Sequence, residues 1–287
     1  MARPPLLCKE GNTLSLTFVT EPLYLGREFA PIVSMLLLLK LCLVPILVAS
    51  VTLAARRWGP RIGGWLTALP IIAGPTLCFY AIEQGGEFAA RATQATLVAL
   101  VAVAAHAVTY ARVCRRWAWP ASLIASWIAF AVVTALLYAG QFNLLISLVL
   151  ALASFAIAQR ILPARKPVVS AAVPPGRDLL LRMLAAAALV LILTSAADRL
   201  GPTLSGFLTP FPIATAIIAA FTQAERGPDA VISYFHGFVP ALNSFALFCF
   251  VFALALVRFG LPLAVTLALS AQLAIQGINL WRMMRSV

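Results

Sequence analysis

Nine predominantly apolar stretches run along the chain, near 35–55, 62–82, 89–111, 117–139, 142–161, 179–197, 203–222, 230–257 and 261–281. Each approaches the roughly 20 residues that an α-helix needs to cross a bilayer core. The apolar positions are continuous and do not alternate with polar ones, so the pattern predicts helices. A hydrocarbon solvent leads the same way, because a helix satisfies its own backbone donors and acceptors. The expected fold class is all-α: a polytopic membrane protein of nine spanning helices.

Polar segments divide this pattern. Residues 1–34 mix polarity and carry Pro4, Pro5 and Pro22 before any sustained apolar run, which predicts a loosely ordered extension. Met35 heads the first run, so translation from Met35 instead of Met1 is an open alternative. Five helices are expected over 35–162, then a linker, PARKPVVSAAVPPGRD, over 163–178, and four helices over 179–287.

The two halves share a motif. GGWLTALPI at 63–71 and SGFLTPFPI at 205–213 align with an offset of 142, which pairs Gly64 with Gly206, Leu66 with Leu208, Thr67 with Thr209, Pro70 with Pro212 and Ile71 with Ile213. The match extends to Gly59-Pro60 with Gly201-Pro202, Lys40 with Arg182, Glu83 with Glu225, Gly85 with Gly227, and Glu87 with Asp229. Two unrelated apolar helices would share Leu and Ala, but not their helix breakers and charges as well. Five predicted helices separate equivalent points. Since five is odd, the expected arrangement is two repeats of inverted topology, the plan of many secondary transporters.

Proline gives the repeat its physical content. Gly59-Pro60 and Gly201-Pro202 place helix starts, because proline suits a first helical turn. Pro70 and Pro212 then fall inside their helices, where each removes a donor and is expected to free the carbonyl of Leu66 or Leu208. At about 1.5 Å per residue both breaks lie roughly 13 Å deep, near the midplane. Unpaired backbone is tolerated there only against protein or a cavity. Thr67, Pro70, Thr209 and Pro212 are therefore candidate solute-binding residues, against the alternative of ordinary kinks with packed threonines.

Composition agrees with the hydropathy pattern: 62% of residues are hydrophobic and 10% charged, with a mean hydropathy of +0.99. The net charge of +12 does not point to nucleic acid, which needs a basic soluble face. The basic residues instead crowd alternate loops, around Arg56, Arg57 and Arg61, Arg112, Arg115 and Arg116, Arg160, Arg165 and Lys166, and Arg282 and Arg285. The positive-inside rule then puts the N-terminus outside and the C-terminus in the cytoplasm. Cys8, Cys42, Cys78, Cys114 and Cys249 form no C-x-x-C pair and read as small core residues.

Lys40 and Arg182 lie about a turn from helix ends, where they either snorkel to the interface or make the two entrances attractive to an anion. Glu83, Glu87, Glu225 and Asp229 read as tight turns: glycine ends one helix and the later acid sits at the positive start of the next. A gating ion pair, such as Glu225 with Arg226, is the other reading. His106 and His236 do not align across the repeat and read as interior histidines, with a proton relay as the alternative. Asn243, Ser244, Gln272, Gln276 and Asn279 either line a cavity or join helices.

The second copy, with Gly206, Phe207, Leu208, Phe211 and Pro212 followed by Glu225, Arg226, Gly227, Asp229 and Ala230, resembles the small four-helix GlpM family of bacterial inner-membrane proteins. The first copy carries a weaker version, so the chain looks like two such units fused around an extra helix. The resemblance implies an inner-membrane protein associated with alginate-like exopolysaccharide production, and it brings no catalytic residues. No H-E-x-x-H, G-x-S-x-G or Asp-rich metal motif is present, so neither an enzyme nor a cofactor is expected. The expected function is a transporter or flippase-like permease for a small, anionic solute. The alternative is a non-catalytic accessory protein in envelope assembly. Expected partners are the lipid bilayer, the solute, and further copies of the chain or an envelope assembly complex.

Overall fold

The computed structural model describes residues 26–140, 142–166, 177–197, 207 and 209–285. Ten helices occupy them: α1 (Gly26–Trp58), α2 (Pro60–Thr67), α3 (Ala73–Glu83), α4 (Gly86–Val113), α5 (Trp119–Tyr138), α6 (Leu144–Ile161), α7 (Arg177–Ala197), α8 (Ile213–Arg226), α9 (Pro228–Phe259) and α10 (Leu261–Arg285). No strand occurs among the described residues. Six stretches, Leu41–Trp58 within α1 together with α4, α5, α6, α9 and α10, are long and apolar enough to cross a membrane, and α7 contributes a shorter apolar stretch, Leu179–Leu191.

Three expected boundaries shift. α1 begins at Gly26, ahead of the start expected at 35, because a spanning helix can extend past the hydrocarbon through polar residues that tolerate helix. The span expected over 62–82 is two helices, α2 and α3, separated by residues 68–72. The span expected over 203–222 is described as Phe207, a turn at 209–210 and α8. Most of the extension and of the linker, and the Gly201-Pro202 pair, lie outside the described residues.

The core lies between α4 and α9. Leu97, Leu100 and Tyr110 on α4 and Phe235, Leu242 and Phe252 on α9 are all fully buried. α6 packs against both of these helices, and α2 also packs on α9. The α2–α9 crossing depends on glycine at both contact points. A Cβ on Gly64 would lie 1.9 Å from the Tyr234 carbonyl oxygen, and one on Gly237 would lie 1.9 Å from that of Arg61. No larger residue permits that approach.

The outer faces of α5, α6 and α10 expose Ile128, Leu136, Leu145, Ile157, Leu273 and Trp281. In water such a surface would be costly, at roughly 25 cal/mol per Å2, whereas in a bilayer it faces lipid. The described helices thus form a multi-pass bundle suited to a lipid environment.

Hydrogen bonds gather several helix ends at one end of the bundle. Arg112 at the end of α4 donates to Ile161 O at 3.1 Å, and Arg115 donates to Ala164 O at 2.9 Å. Gln223 of α8 donates to Trp117 O at 2.8 Å, His236 of α9 donates to Pro163 O at 2.9 Å, and Arg226 donates to Ala55 O at 3.5 Å. The C-terminal ends of α1, α4, α6 and α8 and the N-terminal part of α9 therefore meet in one basic region.

Candidate functional site

The prolines of the two motifs accept equivalent backbone bonds. The carbonyl of Pro70 accepts from Gly74 N–H at 2.8 Å, and that of Pro212 accepts from Ala216 N–H at 2.9 Å. In both cases the proline, lacking its own donor, supplies the first acceptor of a new helix, α3 or α8. Leu66 O, expected to be free, instead accepts from Leu69 N–H at 3.1 Å. A tighter last turn satisfies it, as is common at helix C-termini. Thr67 is also locally satisfied, because its hydroxyl donates to Gly63 O at 2.8 Å.

Both breaks face one cavity of about 220 Å3. Thr67, Pro70, Thr209 and Pro212 all line it, so the structure brings together the four candidates from the two motifs. Part of the remaining wall follows the same offset. Leu100 and Val103 of α4 stand 142 positions before Leu242 and Phe245 of α9, and all four line the cavity. Val44 and Leu47 of α1 and Phe238 of α9 add apolar surface, and Thr215 adds a hydroxyl. Among the described residues no charged side chain lines it.

Arg182 and Glu225 lie elsewhere. Arg182 is buried, at 3% exposure, and its Nη2 is 2.7 Å from Glu225 Oε2. Its guanidinium also stacks over the Phe221 ring at 5.0 Å. Arg182 is thus held inside the bundle. Desolvation makes an unpaired buried guanidinium costly, and α8 supplies the carboxylate. Glu225 thus has an ion-pair partner on another helix, Arg182. Arg182 instead lines a small pocket with Thr52, Arg56, Thr222, Arg226 and Tyr234. The side chain of Lys40 lies outside the described residues.

The turn reading fits Glu87 and Asp229, which occupy the first turns of α4 and α9. Gly85 and Gly227 before them have φ of 86° and 78°, a region that favours glycine. Glu83 closes α3 and Glu225 lies in the last turn of α8.

The polar residues of α9 and α10 do not line the cavity; Gln272, Gln276 and Asn279 join helices, whereas Asn243 bonds within α9. Gln276 donates to Trp65 O at 2.8 Å, and Trp65 Nε1 donates to Gln276 O at 3.1 Å. Gln272 donates to Ser244 Oγ at 3.1 Å. Asn243 and Asn279 both donate to Pro240 O, at 2.8 Å and 3.3 Å. His106 is a buried core residue between the rings of Tyr110 and Phe235.

Sequence reasoning missed Tyr234. It is 1% exposed, and its hydroxyl lies beside Thr67 and Thr215, both cavity residues, without a hydrogen bond of ordinary geometry. The same side chain lines the Arg182 pocket. Nothing about a tyrosine on an apolar helix distinguishes it from core packing.

No group of His, Cys, Asp or Glu suited to a metal ion occurs among the described residues. Comparison of the chain with family models, curated proteins and solved structures gives no match.

Proposed function

We propose that this chain is a non-enzymatic transporter of the bacterial inner membrane, built from two inverted repeats, which carries a small solute through the cavity between its proline-broken helices. The observation that carries the reading is the cavity wall, because residues 142 apart supply it in pairs. A single ancestral unit, used twice around one site, accounts for that pairing.

The course of the helices supports opposite orientations. α2 starts in the basic region and α8 ends there; α4 ends there and α9 starts there. By the offset α4 corresponds to α9, and the break segments correspond likewise. α2 is 8 residues long and α8 is 14, so the two breaks lie roughly 12 Å and 21 Å from the basic end. Such depths straddle the middle of a bilayer of about 30 Å. On this reading the basic end is cytoplasmic and the N-terminus outside, completing nine spans. The GlpM-like motifs are the reason for naming the inner membrane.

The starts of α3 and α8 also support a solute site, because Ala73 and Ile213 line the cavity and a helix N-terminus carries partial positive charge. An apolar wall with threonine hydroxyls and two helix starts suits a small molecule with one polar or anionic end. The test is thermal stabilisation of the purified protein by a panel of small organic acids, alcohols and amines, followed by flux of each stabilising compound into proteoliposomes. Saturable flux that falls at least tenfold in Pro70→Ala with Pro212→Ala supports transport. Absent binding and flux, with co-purification of an envelope synthase, would replace it with the accessory role.

A further inference from the structure

Three arginines stand together at the end of α4, away from the central cavity. Arg112, Arg115 and Arg116 line an open cleft of about 710 Å3 that reaches Ala125 on α5 and Ile161 on α6. Backbone carbonyls hold two of them in place: Arg112 donates through Nε and Nη2 to Ile161 O, and Arg115 through Nη2 alone to Ala164 O. Arg116 is exposed, and its side chain has no hydrogen-bond or ion-pair partner among the described residues. No acidic side chain among the described residues lines the cleft. Asp229 lies within electrostatic reach of Cys114, and one carboxylate there still leaves the head of the cleft positive. The fixed donor fork of arginine suits a phosphate.

An apolar groove continues from this head into the bundle surface. α5 and α6 both pack on α4 but scarcely on one another. Between Ala95 and Ala111 every residue of α4 is buried except Val101, Ala105 and Thr109, which are half-buried. They recur every four residues, so they form one stripe, and the next position, Val113, lines the cleft. The α5 wall is made of small side chains. Trp127 and Phe130 meet Phe211 on one flank of α5, whereas the other flank carries Ala121, Ala125 and Ala129, all half-buried. Beside the arginines Trp117 and Trp119 are 59% and 44% exposed, and such tryptophans mark the headgroup level of a bilayer. We propose that this cleft binds one anionic phospholipid, its phosphate held by Arg115 and Arg116 and one acyl chain laid along the stripe from Val113 to Val101 between α5 and α6. Basic pockets between spanning helices suit such headgroups. A second copy of the chain fits the charge poorly, because copies inserted in the same sense would bring their basic ends together. The inference needs the bilayer and is independent of the transport reading.

The experiment is native mass spectrometry of the purified full chain in detergent, titrated with phosphatidylglycerol, phosphatidylcholine or soluble glycerol phosphate. Phosphatidylglycerol is expected to saturate one site at least tenfold more tightly than phosphatidylcholine, and glycerol phosphate to bind at least a hundredfold more weakly. Arg116→Gln, at an exposed position, keeps the fold and should weaken phosphatidylglycerol about fivefold, the effect of one basic residue at a membrane surface. Adding Arg115→Gln should bring the loss to at least tenfold. Ala125→Phe leaves the arginines intact and should cost at least tenfold by filling the groove. Arg282→Gln with Arg285→Gln removes two charges at the same end of the bundle but outside the cleft, and should change affinity less than twofold. Equal affinity for the two lipids, wild-type affinity in the Arg115 and Arg116 double variant, or an equal loss in the Arg282 and Arg285 variant would overturn the site. Tight binding of glycerol phosphate would give the arginines to a soluble phosphate instead. A lipid-free dimer that Ala125→Phe converts to monomer would give the groove to a second copy, and either result sinks the proposal.

Discussion

Arg182 on α7 and Glu225 on α8 approach to 2.7 Å, with side chains only 4% and 19% exposed. Breaking such a pair leaves a buried charge, at a cost of about 3–5 kcal/mol. Glu225→Gln is therefore expected to lower the thermal midpoint of the detergent-solubilised protein markedly. The swap Arg182→Glu with Glu225→Arg should regain part of the loss. Unchanged stability in Glu225→Gln would show that the pair holds nothing together.

The offset of 142 relates Arg182 to Lys40 and Glu225 to Glu83. The repeat alone, since the Lys40 side chain lies outside the described residues, predicts coupling between these two positions. Lys40→Glu and Glu83→Lys should each impair accumulation of folded protein in the membrane, and the double swap should restore it. Additive damage in the double variant contradicts the prediction.

Close packing between α2 and α9 makes a sharper forecast. Gly64→Ala places a methyl 1.9 Å from the Tyr234 carbonyl, where backbone must move, so it should destabilise by about 1–3 kcal/mol. Gly74→Ala meets Phe248 Cζ at 3.6 Å and Pro70 Cβ at 3.9 Å, both ordinary contacts, and should change stability by less than about 0.5 kcal/mol. Comparable melting of the two variants would deny the close crossing.

Filling the cavity separates stability from ligand binding. Ala68 lines the space and is 2% exposed, so Ala68→Leu adds its atoms to a void. The expected result is a folded protein with unchanged or slightly raised thermal stability and solute binding lost by at least tenfold. Retained binding would move the site away from the breaks.

Much of this was legible in the sequence for physical reasons. Gly85 and Gly227 were readable as turns because few other residues adopt their φ. Pro70 and Pro212 were readable as breaks because proline removes a donor in any context. Both prolines line one cavity, and the motif they share was the signal in the sequence that paired them. Other features were not legible. Glu225 pairs with Arg182 on another helix, and no local pattern around Glu225 points to a partner so far away in sequence. Gln272 and Gln276 have the chemistry to line a cavity or to bridge helices, and the choice depends on the direction of their side chains. The satisfied carbonyl of Leu66 depended on one tightened turn.

The orientation of the repeats is the claim on which the rest depends, and topology reporters measure it most directly. Fusions placed after Arg57 and after Arg199 are predicted to report opposite sides of the membrane, with the Arg57 site cytoplasmic. Both fusions on the same side would contradict inverted repeats and, with them, the account of a shared midplane site.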